Sequence, residues 1–408
     1  MRGILSAYSC LPNSGSENGL GWNTLLSAAK VLEKVYLVTK KSNESKIEKW
    51  KEQNADCLQN VEFVYVDIPL MIRRLPGHIG QIIRYEYFQR NLVIKAKEVV
   101  ERDKIDFCQH VTWASFIRKN YLYKLGIPVI LGPVGGGEMI PEQINYKLSV
   151  KEKITEDLRL WAVRKMATSK IHKKMFDSAI MILTTTNESK MMIPQKYHSK
   201  IVVEQAIGID QANYEKRKES NNEKFVVLMS GRMLYWKGFE MGIKAFLEFA
   251  EINPAAELHI FGDGEKRREL EALVQSTNKS ICFHGNVSHD EMLSYYKNGT
   301  VFLNCSLHDS GSFVVLESMA NGLPVITINT GGPSVLTDNE CAIRITPSNV
   351  DDMVKKIVAA LQTLSADKNK CIEMGKKAQD RAFSMFDYDK KYQALVARII
   401  EKQGVNNE

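Results

Sequence analysis

The sequence predicts an α/β protein of two Rossmann-like, doubly wound parallel-sheet domains facing across a cleft. Three observations carry this. Short β-branched runs alternate with helical patterns along the whole chain. Each run is apolar nearly throughout, as in strands covered on both faces rather than one. The series breaks at a polar stretch, residues 210–224 (DQANYEKRKESNNEK), and then begins again.

The first series of strands is expected at 3–8, 34–38, 61–66, 105–110, 127–131, 179–183 and 201–203. The second is expected at 225–230, 257–261, 281–284, 301–304 and 324–328. The first domain is therefore assigned to residues 1–207 and the second to 208–386. A last helix, 387–408, is assigned to the first domain again. A length of 408 residues suits two or three domains. No repeat at a period of about 20 to 50 residues suggests a solenoid.

Composition narrows the class. With 44% apolar and 25% charged residues the chain is neither a disordered protein nor a coiled-coil rod. No apolar run approaches the roughly 18 to 20 residues that cross a bilayer. The opening MRGILSAYSC is too short in apolar residues for a secretory leader and reads as a buried strand. Seven cysteines are scattered singly, with no CxxC and no His/Cys cluster in the sequence. Neither a disulfide framework nor a zinc site is expected, and a reducing, cytoplasmic setting is. Charge is uneven. Residues 1–205 hold 31 Lys and Arg against 21 Asp and Glu, whereas the remainder holds 24 against 27. A basic half beside a mildly acidic half points to nucleic acid, an anionic membrane surface or a phosphorylated substrate as partner.

In open parallel sheets ligands bind beyond the carboxyl ends of the strands, so the loops after each strand carry the chemistry. After the first strand comes CLPNSGSENGLGW, with a helix expected from about Gly19. Gly15, Gly19 and Gly21, with Ser16 and Asn18, make a flexible loop able to approach an anion or a polar ligand, although Glu17 within it would repel a diphosphate. His110 ends the fourth strand, where it can face a cleft or serve as a hydrogen-bonded structural residue. GPVGGGE follows the fifth strand, and Gly136, Gly137 and Glu138 line the same end of the sheet. In the second half, SGRMLYWKG places Arg232 and Lys237 beside a helix expected from Phe239. Two cations there suit a diphosphate without a metal. FGDGE, with Gly262, and HGNVSHDEM, with Val287, offer backbone groups to a nucleobase edge. Asp309 and Glu317 bracket a helix start at Gly311, Ser312 and Phe313. A phosphate fits that start, and Glu317 is placed to hold a ribose.

Taken together, the GSENG loop, His110, GPVGGGE, the GR…K loop, GDG, the acid-x7-Glu block with LPVI, and GGP at 331–333 resemble the retaining, family 4 glycosyltransferases of the GT-B fold. The likeness is nearest to those building bacterial surface polysaccharides. The resemblance implies that Arg232 and Lys237 bind the donor diphosphate and steady it as it leaves. Glu317 would hold the ribose and Asp309 would contact the donor sugar. Gly262, Val287, Gly311, Ser312 and Phe313 would complete the donor site. His110, with Gly15, Ser16, Glu17, Gly136, Gly137 and Glu138, would lie at the reacting centre and acceptor. The family's first acid is usually Glu, and D-S-G-S stands where E-G-F-G is usual, which sets the carboxylate back by about 1.5 Å. No cofactor or metal is implied, only a UDP- or GDP-linked sugar as co-substrate. Asp387-Tyr388-Asp389 matches a metal-binding DxD by letters only and reads as a helix start.

Two basic, partly apolar stretches, 72–97 and 147–174, suit docking on anionic lipid, and with it a polyprenyl-diphosphate-linked oligosaccharide acceptor. They suit nucleic acid less, since no stacking platform or recognition motif accompanies them. The expectation is a hexosyltransferase of O-antigen, capsule or exopolysaccharide synthesis, cytoplasmic and peripheral on the inner face of the membrane. The rival readings are another GT-B enzyme, such as a sugar-nucleotide epimerase or phosphorylase, and a non-catalytic nucleotide-binding protein.

Overall fold

A computed structural model describes residues 1–217, 224–277 and 279–404. Part of the polar stretch 210–224, and the last four residues of the expected helix 387–408, lie outside the described residues.

The chain divides into two compact units. The first comprises Met1–Gly137, Leu160–Gly208 and the C-terminal segment from Tyr388; the second comprises Glu138–Arg159 and Ile209–Asp387. The first holds a parallel sheet of seven strands: β1 (Arg2–Ser6), β2 (Lys34–Lys40), β3 (Val61–Val66), β4 (Phe107–His110), β5 (Val129–Val134), β6 (Ala179–Thr184) and β7 (Ile201–Val203). Their order is β3-β2-β1-β4-β5-β6-β7, so the chain reverses direction across the sheet between β1 and β4.

Alternation along these strands explains why they read as unbroken apolar runs. Ile4, Tyr36 and Val38 enter one core, with Tyr85, Phe88 and Leu92 of the helix Gly77–Arg102. Leu5, Val35 and Leu37 enter the core on the other face, with Trp22 and Leu25 of the helix Ser16–Val31. Both faces are covered, so both parities are apolar. The C-terminal helix Tyr388–Gly404 belongs to this second face, contributing Tyr392, Leu395, Val396 and Ile399. It is tied down by Ser27 Oγ donating to Asp389 at 2.6 Å and by Lys30, also 2.6 Å from Asp389.

The second unit holds a six-stranded parallel sheet: β8 (Val226–Ser230), β9 (Glu257–Phe261), β10 (Ser280–Gly285), β11 (Val301–Asn304), β12 (Val325–Ile328) and β13 (Ala342–Ile345). Their order is β10-β9-β8-β11-β12-β13, with the reversal between β8 and β11. One face buries Val227, Met229, Leu258, Ile260 and Ile326 against Phe246 and Phe249 of the helix Phe239–Ile252 and Leu361 of the helix Val350–Ala366. Ile144 is fully buried in this same core. That is why 138–159 groups with the second unit although its sequence lies between strands of the first.

Two local expectations differ from the structure. β13 is a thirteenth strand that the pattern missed; it is four residues long, carries Arg344, and pairs only with β12. The first helix starts at Ser16, three residues before Gly19. Its glycines lie inside it because the chain leaving β1 presses on them: a Cβ at Gly19 would stand 2.1 Å from the Ser14 carbonyl oxygen, and one at Gly21 2.1 Å from that of Ser9.

Ile399 is fully buried in the C-terminal helix. Ile399→Ala should therefore destabilise the protein by about 2 to 5 kcal/mol, read as a lowered denaturant midpoint.

Candidate functional site

In each sheet the loops leaving the two strands beside the reversal point are the expected ligand position. In the second unit these are residues 231–238 after β8 and 305–312 after β11. Their side chains meet. Lys237 Nζ lies 2.5 Å from Asp309 Oδ2, and both side chains are about four-fifths buried, at 18% and 19% exposure. Ser312 Oγ donates to the same carboxylate oxygen at 2.7 Å, and the Gly311 N–H reaches Oδ1 at 3.4 Å. Burial alone would raise the Asp309 carboxyl. Lys237, Ser312 and Gly311 outweigh it and hold the group below its ordinary range, ionised.

Glycines make this crowding possible. Gly238, at φ +65°, would drive a Cβ to 2.1 Å from the Cys305 carbonyl oxygen. Gly331, at φ +56°, closes in on the Asp309 backbone in the same way, and the Gly332 N–H donates to the Asp309 carbonyl at 2.6 Å. The GGP motif thus closes the back of the Asp309 loop. Ser312 is itself left-handed, at φ +56°, and sets the start of the helix Phe313–Ala320.

The next two loops are stitched to the first. The Gly231 N–H donates to Phe261 O at 3.1 Å, Met233 N–H to Asp263 O at 2.8 Å, and Gly262 N–H to Gly285 O at 2.7 Å. A Cβ at Gly262 would stand 2.1 Å from the Gly231 carbonyl oxygen. Arg232 is exposed on this loop, with no ion-pair partner among the described residues. Val287 is half-buried just before a helix capped by Ser288 and Glu291. Burial raises the Glu317 carboxyl, against the opposing pull of His289 and Tyr296.

Sequence reasoning missed a second network beside this one. Glu156 accepts from Tyr235 Oη at 2.6 Å and lies 3.2 Å from His308 Nε2, whose ring stacks on Trp236 at 5.4 Å. Burial opposes ionisation, but the bonds from His308 and Tyr235 bring the Glu156 carboxyl down to about 2. Glu156 gave no signal because it looks like one more charge in the basic stretch 147–174.

In the first unit the loops after β1 and β4 also meet. Glu17 Oε2 accepts the Trp113 N–H at 3.0 Å, Trp113 Nε1 donates to Ser9 Oγ at 2.9 Å, and Ser9 N–H donates to Thr112 Oγ1 at 3.1 Å. Burial raises the Glu17 carboxyl, and the Trp113 N–H counters it. Ser16 is left-handed at φ +54°, after Gly15. His110 lies inside rather than on a free surface. It is 3% exposed, with Nδ1 3.5 Å from Ser6 Oγ and Nε2 3.1 Å from Tyr85 Oη, and burial lowers it to about 4, so the ring is neutral. Gly136 is left-handed with open space at its Cβ position, whereas Gly137 packs against Ser189 and donates to its Oγ at 3.2 Å. Glu138 opens the segment that groups with the second unit. Asp387 accepts the Gln211 N–H, and Asp389 accepts from Ser27 Oγ and pairs with Lys30.

A cluster with no trace in the sequence lies over the Tyr8, Tyr85 and Trp113 rings, whose centroids are 4.9 to 5.7 Å apart. Lys40 Nζ sits 4.1 Å from the Tyr8 centroid, and Arg118 4.9 Å from that of Trp113. Burial, then Arg84, lowers the Lys40 ammonium to about 8. None of Lys40, Arg84 and Arg118 is paired with a carboxylate among the described residues.

With this geometry in hand, known proteins are informative. Residues 210–381 match the family model of the glycosyl transferases group 1. That span lies within the second unit and leaves out its segment Glu138–Arg159. The sulfoquinovosyl transferase SQD2 of Arabidopsis thaliana is 28% identical over 187 residues, 42% of this chain and 35% of that protein. A phosphatidylinositol N-acetylglucosaminyltransferase component of the same plant is 26% identical over 192 residues, 46% of this chain and 42% of its own. The matched region thus covers less than half the length of these relatives. Anabaena HepE, solved with UDP and glucose, superposes with a TM-score of 0.58 at 16% identity, covering 98% of this chain and 99% of that one. The fold is GT-B, two parallel-sheet α/β domains.

Glu156 is ionised well below the ordinary carboxylate range, so its bonds stabilise the fold fully at neutral pH and are lost as pH falls toward about 2. Glu156→Gln should flatten part of the acid limb of a stability-versus-pH profile while leaving the neutral-to-basic limb parallel to wild type.

Proposed function

We propose that the protein is a glycosyltransferase that moves a hexose from a UDP- or GDP-linked sugar, with retention of configuration. The observation that carries this is the Lys237–Asp309 pair beside exposed Arg232, within the segment matching the glycosyl transferases group 1. The neighbour solved with UDP and glucose supports a nucleotide-sugar donor. In this reading the diphosphate enters between Arg232 and Lys237. Glu317 receives the ribose hydroxyls, the backbone near Gly262 and Val287 receives the base, and Asp309 with Gly311, Ser312 and Phe313 receives the sugar. The bond from the anomeric carbon to the diphosphate breaks as the bond to the acceptor oxygen forms. The acceptor proton passes to the departing phosphate oxygen, so neither a protein nucleophile nor a metal takes part. The two cations stabilise charge as it develops on the leaving group.

The acceptor is a saccharide carried on a lipid diphosphate, in surface-polysaccharide synthesis. Two features support it. Lys40, Arg84 and Arg118 are unpaired with carboxylates among the described residues and stand above an aromatic floor, an arrangement that suits a phosphate linked to a sugar ring. Leu70, Met71 and Ile79 are 50%, 85% and 74% exposed around Arg73 and Arg74, rather than buried beneath a solvated basic face. Apolar side chains exposed among cations suit the interface of an anionic bilayer, where each cation is worth ~1 kcal/mol. No helix among the described residues is long and apolar enough to cross a membrane. A phosphatidylinositol-modifying enzyme among the relatives supports an acceptor of membrane lipid type. His110, buried and neutral, acts in this reading by positioning Tyr85 rather than by exchanging protons.

One nucleotide-sugar of a UDP and GDP panel should raise the melting temperature and be turned over, and Lys237→Ala should reduce that turnover at least a hundredfold with its far-UV spectrum unchanged. Absence of turnover with every donor in wild type would contradict the transferase reading. In flotation, the protein should rise with vesicles containing phosphatidylglycerol and be released by salt. Met71→Ser with Ile79→Ser should lower the bound fraction without altering donor binding.

A further inference from the structure

The register of β9 and β10 brings together three side chains that are separated in sequence. Cys282 is the partner of His259 across the two strands, and His284 follows two residues later, where the register shifts between Phe283 and Gly285. His259 Nδ1 and His284 Nε2 face each other at 2.8 Å. One ring nitrogen of each histidine and Cys282 Sγ lie within 4.8 Å of one another. The sequence showed no His/Cys cluster because the members come from two strands; the C-x-H spacing on one strand was its only trace.

We propose that His259, Cys282 and His284 bind one zinc(II) ion, bridging the two outermost strands on that side of the sheet. Two imidazoles and a thiolate form a donor set that zinc accepts in tetrahedral geometry. Cys282 is exposed, so the fourth position is open to water.

The outer nitrogens are already oriented as metal-binding histidines require. His259 Nε2 lies 3.3 Å from the Glu257 carboxylate, and His284 Nδ1 lies 3.3 Å from Tyr295 Oη. A carboxylate on the far nitrogen fixes the ring and strengthens the near nitrogen as a ligand. The His284 ring is further held by stacking on Phe261, with centroids 4.7 Å apart.

The protons balance. With Nε2–H of His259 given to Glu257, its Nδ1 carries a lone pair, and in the metal-free protein His284 Nε2–H fills the space between the rings. On binding, that proton moves to Nδ1 of His284, where Tyr295 Oη accepts it, and the Cys282 thiol loses its own. One proton is released per ion.

This site is separate from Lys237 and Asp309. It acts on the loops that follow β9 and β10, which are joined by the Gly262–Gly285 hydrogen bond. It does not depend on the transferase reading.

Chelator-dialysed full-length protein titrated with zinc(II) should take up one equivalent, with about one proton released when titrations in buffers of different ionisation enthalpy are compared. Cobalt(II) should give thiolate charge-transfer and tetrahedral ligand-field bands. Cys282→Ser should abolish the charge-transfer band and weaken zinc at least tenfold. Glu257→Gln should weaken it roughly ten- to a hundredfold. Cys57→Ser, at the other exposed thiol, should leave both unchanged. All variants should keep the metal-free melting temperature of wild type within a few degrees. Failure of wild type to take up a stoichiometric ion, or equal affinity in Cys282→Ser with His259→Gln, would overturn the proposal.

Discussion

In each sheet one carboxylate joins the two connections that leave the point where strand order reverses, from the loop itself in the second unit and from the first turn of the following helix in the first. In the second unit it is Asp309, held by Lys237; in the first it is Glu17, held by the Trp113 N–H. The constraint is topological. At the reversal the helices of neighbouring strands pass to opposite faces, the strand ends are left uncovered, and their loops must be fixed to something. Fixing them to each other creates a ledge of oriented polar groups, and the rest of each unit supplies rigid strands on which the ledge stands.

The two ledges differ electrically. Asp309 is surrounded by donors and remains ionised, with a cation beside it and Arg232 exposed nearby. Glu17 is raised by burial and has a backbone N–H against it, while Lys40, Arg84 and Arg118 stand, among the described residues, unpaired with carboxylates around the same aromatic floor. The net positive balance of residues 1–205 is therefore more than a solvated surface: part of it is drawn inward, where Lys40 has its ammonium lowered to about 8. On the proposed function, the second unit meets the donor with few, well-placed charges and the first meets a more anionic acceptor.

Much of this was legible in the sequence, for definite reasons. Strands covered on both faces leave apolar runs of both parities, so twelve of the thirteen strands among the described residues could be read, and the short edge strand β13, with its Arg344, was missed. Glycines forced by close approach, as at Gly238, Gly262 and Gly331, mark loops as special without showing what presses on them. Groups that meet only through folding were invisible. Glu156 reaches His308, Arg118 reaches Trp113, and His259 reaches Cys282 and His284 across strands or loops. His110 shows the opposite limit: its position at a strand end was read correctly, but only the packing of Ser6 and Tyr85 reveals that both nitrogens are occupied.

The central claim is that the Lys237–Asp309 ledge receives a nucleoside diphosphate. The most direct test is a crystal structure of the protein with UDP. The account predicts the diphosphate within hydrogen-bond distance of Lys237 Nζ and the Arg232 guanidinium, with the ribose hydroxyls on Glu317. A diphosphate bound elsewhere, with Lys237 and Arg232 both out of reach of it, would contradict the account.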